Sequence, residues 1–317
     1  MSKKPLVILT GPTAVGKTKL SLELAKRING EIISADSMQV YKHMDIGSAK
    51  IMPEEMNGIK HHLIDIYEPF DEFNVVIFQQ KCLEAMEKIY AAGHIPILTG
   101  GTGFYIQSVL YGIEFNSEED DISYREGLEK IAAEEQGPMI LHSMLKKVDP
   151  VSAENIHANN VKRVIRALEY YHMTGQRISD HNEAERGKSS VYNSAYFVLT
   201  DDREKLYQQI DNRVDKMISD GLVCEVERLK AMGCHKGLVS MQGLGYKEIL
   251  DYLSGEIDLE RAVYLIKRDT RHFAKRQLTW FRREKEVIWL DKTEYMYDDS
   301  KILEKMEFIL KEKGITK

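Results

Sequence analysis

Short apolar runs alternate with longer amphipathic stretches in the first third of the chain. The run 6–9 is bounded by polar and turn residues and predicts a buried strand, and 17–28 carries its apolar residues at helical spacing. Further strands are predicted at 31–35, 61–66 and 94–98, and a further helix at 75–92. Because this alternation is typical of a parallel sheet covered on both faces, we expect an α/β fold.

The pattern changes after residue 115. The run 116–121 is acidic and loop-like, and the pattern over 124–177 is helical without a strand. Strand patterns return only at 195–199 and 287–290. We therefore expect a parallel-sheet core interrupted by a helical insertion domain, with predicted domain limits of 1–115 plus 195–317 for the core and 116–194 for the insertion.

A phosphate-binding motif follows the first predicted strand. The sequence GPTAVGKT at 11–18 has the spacing of a P-loop, and it lies between a strand and a helix, as that loop requires. Backbone N–H groups of such a loop surround a phosphate chain, and the helix N-terminus adds about half a positive charge. The predicted phosphate ligands are Gly11, Thr13, Ala14, Val15, Gly16, Lys17 and Thr18, with magnesium at Thr18. The motif does not identify the phosphate compound.

Two polar residues follow other predicted strands. Asp36 comes directly after the strand 31–35, and Thr102 lies in a glycine-rich turn after the strand 94–98. Ligands of parallel sheets collect at the carboxyl ends of strands, so one cleft could hold both residues and the P-loop. Asp36 could bind magnesium, act as a general base or only stabilise a turn. Thr102 could contact a substrate, although helix capping is the simpler interpretation.

Overall composition argues against some classes of function. The net charge of −6 means that any nucleic-acid function must depend on local basic clusters. No apolar stretch is long enough to cross a membrane. Three scattered cysteines without a CxxC pair indicate reduced thiols in the cytoplasm. The adjacent His61 and His62 would point to opposite faces of a strand, which disfavours a metal ion shared between them.

Two basic clusters stand out against that acidic background. The segment 267–285 has a net charge of +6, and at helical spacing four of its cations fall in a stripe about 60° wide: Arg268, Arg271, Lys275 and Arg282. The second cluster, in the predicted insertion, is Lys162, Arg163 and Arg166. Such clusters are either solvated helix faces or contacts for nucleic-acid phosphates, and two of them favour the second interpretation.

Arg213 lies on an amphipathic helix predicted after the strand 195–199. An arginine in such a helix is usually solvated or paired with a carboxylate. It could also bind a phosphate through both arms of its guanidinium, and the spacing alone does not decide between these roles.

Taken together, eight sequence blocks resemble the tRNA dimethylallyltransferases, also called tRNA isopentenyltransferases. They are GPTAVGKT at 11–18, DSMQVY at 36–41, HHLID at 61–65, GGTGFY at 100–105, RALE at 166–169, RVDKM with a following GL at 213–222, QGLGYKE at 242–248 and KRQLTWFRR at 275–283. The resemblance implies transfer of a dimethylallyl group from dimethylallyl diphosphate to N6 of the adenine 3′ of the anticodon. The P-loop would then hold a prenyl diphosphate with magnesium.

The resemblance also implies roles for individual residues. Asp36 would be the general base, Thr102 would hold the amine, and Arg213 would stabilise the leaving diphosphate. Contacts with the tRNA anticodon arm are implied for Asp36, Ser37, Met38, Gln39, Thr102, Arg125, Lys162, Arg163, Arg166, Gln242, Gly243, Gly245, Tyr246, Lys247, Lys275, Arg276, Gln277, Trp280 and Arg282. We expect the protein to be a cytoplasmic monomer.

Three alternative functions stay open at this point. An ATP-dependent small-molecule kinase would share the P-loop but would leave the basic clusters without a purpose. An RNA-associated nucleotide switch would need no catalytic Asp36. A prenyltransferase acting on free AMP would need neither basic cluster.

Overall fold

The computed structural model describes residues 3–115 and 122–317. It contains two compact units: a core unit, residues 1–112 with 190–317, and a helical unit, residues 113–189. The segment 190–194, which we predicted within the insertion, lies in the core unit. There the Val191 N–H donates to the Leu110 carbonyl at 3.1 Å and the Asn193 N–H to the Lys4 carbonyl at 2.9 Å. The acidic run 116–121 lies outside the described residues.

The core unit is built on a six-stranded parallel sheet, as the alternating pattern predicts. The strands are β1 (Pro5–Thr10), β2 (Gly30–Ala35), β3 (His61–His62), β4 (Ile95–Gly100), β5 (Asn193–Thr200) and β6 (Val287–Asp291). Their order is β3-β2-β4-β1-β5-β6, so β1 is central, and residues 6–9 are completely buried. The predicted strand at 61–66 is shortened to its first two residues, because Leu63 and Asp65 adopt positive φ angles of 63° and 54°.

The helices cover the sheet and form the helical unit. In chain order they are α1 (Lys17–Ile28), α2 (Val75–Ala91), α3 (Gly103–Leu110), α4 (Ile122–Ala132), α5 (Gly137–Val148), α6 (Pro150–Asn155), α7 (Val161–Thr174), α8 (Ile178–Gly187), α9 (Arg203–Ser219), α10 (Leu222–Ala231), α11 (Tyr246–Leu253), α12 (Leu259–Phe281) and α13 (Asp299–Glu312). Short 3-10 turns lie at Pro53–Met56 and Ser240–Gln242. Within the described ranges, none of the helices combines the length and the hydrophobicity that a membrane crossing requires.

The helical unit, α4 to α8, has a core of its own. Leu141, Leu145 and Val164 are completely buried in it, and Asp149 joins two of its helices. The Asp149 carboxylate accepts hydrogen bonds from the backbone N–H and hydroxyl of Ser152 and of Ser179, at 2.7–3.0 Å. Four bonds to one buried carboxylate satisfy a group that would otherwise destabilise the unit.

Candidate active site

The phosphate loop connects β1 to α1 through residues with unusual backbone angles. Gly11 has φ 149°, and a Cβ atom there would lie 2.3 Å from the Leu199 carbonyl oxygen. Gly16 precedes α1 with φ 98° and provides no side-chain cap. The first N–H groups of α1 are therefore left for an anion, as the P-loop motif predicts.

Lys17 folds back onto this loop. Its ammonium donates to the carbonyl oxygens of Gly11 at 3.0 Å and Pro12 at 2.7 Å. Burial lowers the pKa of Lys17 to about 7, the positive charge of Arg213 adds to the decrease, and the negative charge of Asp36 opposes it. Close to neutral pH the lysine is therefore only partly protonated, and a bound phosphate chain would favour the charged form.

A pocket of about 220 Å³ opens beside the loop. Its lining residues are Ala14, Gly16, Lys17, Thr18, Gln209 and Arg213. Arg213 forms no ion pair with a carboxylate in the part of the chain that the structure describes, and burial lowers its pKa while Asp36 acts in the opposite direction. Arg213 is half-buried and lines a pocket suited to an anion, which is compatible with binding a phosphate.

Asp36 and Thr102 lie at the ends of the adjacent strands β2 and β4. The Asp36 Oδ1 atom accepts the N–H of Met38 at 2.8 Å and that of Gln39 at 3.4 Å, which forms a tight turn after β2. The Thr102 N–H donates to the Ala35 carbonyl at 3.2 Å and so ties the β4 turn to the residue before Asp36. Both residues are only half-buried.

The Thr102 side chain differs from the simpler expectation. Although Thr102 occupies the N-cap position of α3, its hydroxyl makes no capping bond, and it has no hydrogen-bond partner among the residues described. Oδ2 of Asp36 likewise has no hydrogen-bond partner within those residues. A hydroxyl and a carboxylate oxygen at neighbouring strand ends are thus both available to a substrate.

Gln277 of α12 connects the two loops of the site. Its Oε1 accepts the Thr13 N–H at 2.9 Å, and its Nε2 donates to the Gly101 carbonyl at 3.0 Å. Gln277 is only 5% exposed, and both ends of its carboxamide are used within the protein, so its contact with RNA stays a prediction. Trp280 packs on the same turn, where a Cβ atom at Gly103 would lie 2.2 Å from its ring.

Tyr246, another predicted RNA contact, is part of the core. It is completely buried, and its hydroxyl donates to the Glu225 carboxylate at 2.8 Å. That carboxylate also accepts the N–H groups of residues 45–47. The neighbouring Gly243 and Gly245 are buried as well, which leaves Gln242 and Lys247 as the accessible residues among the RNA contacts predicted in this motif.

Part of the basic stripe on α12 is neutralised within the protein. Arg268 pairs with Asp269 at 2.8 Å, and Arg271 pairs with Asp211 of α9 at 2.5 Å. We use the name cationic face for Lys275, Arg276 and Arg282, which are exposed and form no ion pair with another described residue. The same holds for Arg283, which follows Arg282. The stripe that can meet an anion is therefore shorter than the sequence predicts.

In the helical unit, α7 separates its apolar and basic residues. Val164 and Leu168 are buried, whereas Lys162, Arg163 and Arg166 are exposed. Arg125 is instead held by both oxygens of Glu169, at 2.8 and 3.1 Å. A phosphate would have to compete with that carboxylate, which weakens the assignment of Arg125 as an RNA contact.

Sequence reasoning missed one cation at the phosphate loop. Lys292 directly follows β6, and its half-buried ammonium lies 3.4 Å from the Val15 carbonyl oxygen. The signal was present, because Lys292 follows a strand end just as Asp36 and Thr102 do. The loop is therefore approached by cations from α1, from α9 and from the segment after β6.

The two adjacent histidines serve the structure of the sheet edge. The Nε2 atom of His62 and the Nδ1 atom of His94 each lie 2.6 Å from the buried Glu31 carboxylate, whereas Nδ1 of His61 contacts the Ile59 carbonyl. No cluster of three or more His, Cys, Asp and Glu side chains capable of holding a metal exists among the described residues. The different directions of the two rings agree with the strand geometry.

Known proteins are similar to this chain in both sequence and fold. The model of the IPP transferase family matches residues 39–284. A tRNA dimethylallyltransferase of Lachnoclostridium phytofermentans is 62% identical over 99% of this chain and 100% of its own length. One from Carboxydothermus hydrogenoformans is 54% identical over 92% of this chain and 93% of its own length.

Solved structures show the same fold. A tRNA isopentenylpyrophosphate transferase from Bacillus halodurans superposes with a TM-score of 0.73 at 43% identity, covering 99% of this chain and 98% of that protein. A eukaryotic dimethylallyltransferase studied crystallographically while acting on tRNA gives a TM-score of 0.78 at 31% identity, covering 91% and 74%. The family match begins after the P-loop, but these relatives cover nearly the whole chain.

Proposed function

The chain belongs to the IPP transferase family, and we propose that it transfers a dimethylallyl group from dimethylallyl diphosphate to N6 of the adenine 3′ of the anticodon in tRNA, with release of diphosphate. One observation carries the proposal. A P-loop pocket lined by two cations, Lys17 and Arg213, adjoins strand ends where Asp36 and Thr102 offer an unpartnered carboxylate oxygen and an unpartnered hydroxyl. A diphosphate donor needs the cations, and a weakly nucleophilic amine needs the carboxylate.

The donor side of the site is suited to a leaving diphosphate. As the bond between C1 and oxygen of the donor breaks, the electron pair goes to the diphosphate, whose new charge the loop N–H groups, Lys17 and Arg213 stabilise. Because these groups are fixed by the fold, they need little rearrangement during the reaction. Lys292, which follows β6, adds a positive charge behind the loop.

The pocket also fits a hydrated magnesium ion. Gln209 lines it, and while its Nε2 donates to Asp201 at 3.3 Å, its buried Oε1 has no partner among the described residues. An unprotonated phosphate oxygen has no hydrogen to donate to the Gln209 Oε1 atom, whereas a metal-bound water has one. Thr18 and Gln209 would hold the ion, which supplies a Lewis acid that neutralises charge on the diphosphate.

On the acceptor side, the adenine N6 attacks C1 of the donor. The bond between nitrogen and carbon forms while Asp36 takes the N6 proton, and Thr102 holds the amine through its free hydroxyl. The turn bonds to Oδ1 of Asp36 fix the orientation of its carboxylate. The adenine has to leave its stack in the anticodon loop to reach a site at the strand ends.

The exposed cations would position the anticodon arm through its phosphates. They are Lys275, Arg276 and Arg282 of the cationic face and Lys162, Arg163 and Arg166 of α7. Phosphate contacts set register and supply a salt-dependent part of affinity, while base contacts select the site. The cytoplasmic location and the monomeric state of the enzyme stay predictions. A measurement of its mass in solution tests the monomeric state.

The deciding experiment mixes the protein with magnesium, dimethylallyl diphosphate labelled in the prenyl group, and unmodified tRNA. We expect label in the tRNA, at the adenine 3′ of the anticodon, and one diphosphate released per label. Label in added AMP instead would indicate a prenyltransferase of free nucleotides. Formation of ADP from ATP with no use of the prenyl donor would indicate a kinase and would refute the proposal.

A further inference from the structure

Gln277 is the only described side chain that we find hydrogen-bonded to both loops of the active site at once. It accepts from Thr13 of the phosphate loop and donates to Gly101 of the β4 turn, and it is 5% exposed. A buried carboxamide with both ends satisfied has a fixed orientation, because a rotation that exchanges its oxygen and nitrogen would place like groups together at both partners. The side chain therefore fixes the spacing between these two loops.

The chemistry at each end requires an amide. Glutamate would keep the acceptor for the Thr13 N–H but would turn an oxygen toward the Gly101 carbonyl. Methionine has a similar length but makes neither bond. Space is also limited, because a Cβ atom at Gly101 would lie 2.1 Å from the Gln277 Nε2. Each loop is therefore held at a position that depends on α12.

The helix that carries Gln277 also carries the cationic face. Gln277, Ala274 and Phe281 lie on its buried side, whereas Lys275, Arg276 and Arg282 are exposed on the other. Trp280 adds a second contact to the β4 turn beside Gly103. A ligand that holds the exposed side of α12 thus acts on the same rigid element that positions the phosphate loop and the residue next to Thr102.

We propose that Gln277 is a positioning residue that couples the RNA surface of α12 to the diphosphate pocket, so that tRNA and diphosphate each increase the affinity of the enzyme for the other. This inference rests on the proposed function for its two ligands. Coupling of this kind is reciprocal, and a factor of about 5 to 150 is typical. A direct RNA contact by Gln277, as the resemblance implied, predicts instead that its loss weakens tRNA binding alone.

The test measures binding rather than turnover. The affinity of the full chain for inorganic diphosphate with magnesium is measured by calorimetry in the absence and presence of saturating tRNA, and the ratio of the two dissociation constants is the coupling factor. We expect the wild-type factor to be at least about fivefold. In Gln277→Met it should fall close to one, while the affinity for tRNA alone stays within twofold of wild type.

Two further variants make the result specific. Gln277→Glu keeps the bond to Thr13 and should retain an intermediate coupling factor. Thr279→Ala lies on the same helix, removes a hydroxyl that donates only to the Lys275 carbonyl, and should leave the factor unchanged. If Gln277→Met is too unstable to study, Gln277→Glu replaces it in the test. A coupling factor in Gln277→Glu equal to that of the wild type would then contradict the inference.

Three outcomes would overturn the inference: no coupling in the wild type, full coupling in Gln277→Met, or weakened binding of tRNA alone in that variant. Prenyl transfer by the wild-type enzyme is measured separately. Transfer without coupling would reject this inference and leave the proposed function intact. Coupling without transfer would reject the proposed function and support the link between the two sites.

Discussion

Lys17 and Arg213 line the same pocket, and the charge of Arg213 adds to burial in lowering the pKa of Lys17 to about 7. The free enzyme therefore loses the Lys17 proton above pH 7 and keeps it below. A bound diphosphate favours the protonated amine, so its binding should raise this pKa and take up a proton at alkaline pH.

The first prediction concerns that proton. At pH 8 diphosphate binding to the enzyme should take up close to one proton more than binding to Lys17→Met, which corrects for titration of the ligand itself. At pH 6 the two proteins should take up the same number. Calorimetry in buffers of different ionisation enthalpy gives both values. Equal uptake at pH 8 would show that Lys17 is charged before the ligand arrives.

The second prediction concerns Asp36. Asp36→Asn should lower kcat by roughly 10²- to 10⁴-fold, because it removes the proton acceptor. Its amide oxygen can still accept the Met38 and Gln39 N–H groups, so the turn, the melting temperature and the affinity for tRNA should change little. Single-turnover transfer of labelled prenyl donor measures the effect. Turnover near the wild-type value would exclude Asp36 as the base.

The third prediction separates exposed cations from paired ones. Replacing Lys275 or Arg282 by alanine should weaken tRNA binding and reduce the slope of log affinity against log salt by about one for each phosphate that the variant no longer neutralises. Arg268→Ala is the matched control, because Arg268 already pairs with Asp269. A larger decrease in slope for Arg268→Ala than for Lys275→Ala would contradict this assignment of the cationic face.

The fourth prediction concerns acid stability. Burial raises the pKa of Glu31, but hydrogen bonds from His62 and His94 and the charge of Lys60 outweigh that effect, so the pKa lies below its ordinary value of 4.5. The stabilisation is therefore present above pH 4.5 and is lost as the pH falls through the folded-state pKa. Glu31→Gln should lower the free energy of unfolding by about 1–3 kcal/mol at pH 7. Urea unfolding measures the difference in stability between the wild type and Glu31→Gln, which should shrink below pH 4.5. A difference that stays constant with pH would show that it does not arise from the ionised Glu31 carboxylate.

Much of the core could be predicted because its signals are local. The strands β1, β2, β4 and β5 are short apolar runs, and the P-loop motif contains its own strand, turn and helix start. The length of β3 was overestimated, because the positive φ angles of Leu63 and Asp65 leave no mark in hydrophobicity. The resemblance supplied roles for Asp36, Thr102 and Arg213, whereas periodicity alone left each of them open.

Local sequence patterns did not reveal contacts between distant parts of the chain. Gln277 looks like a surface residue in a basic helix, but its partners lie 264 and 176 positions away. Arg271 looks solvated until Asp211 of α9 approaches it. Tyr246 is buried by Glu225 and the loop at 45–47, which no helical period reveals. Buried polar partners come together only in the assembled fold, so local patterns in the sequence do not reveal them.

The phosphate loop, Asp36, Thr102 and Lys292 all follow strands of one parallel sheet whose interior is apolar and closely packed. Engineers can therefore treat the scaffold and the reactive segments as separate design problems. Substitutions confined to these four connections should change the binding of substrates while the strands beneath them keep their register.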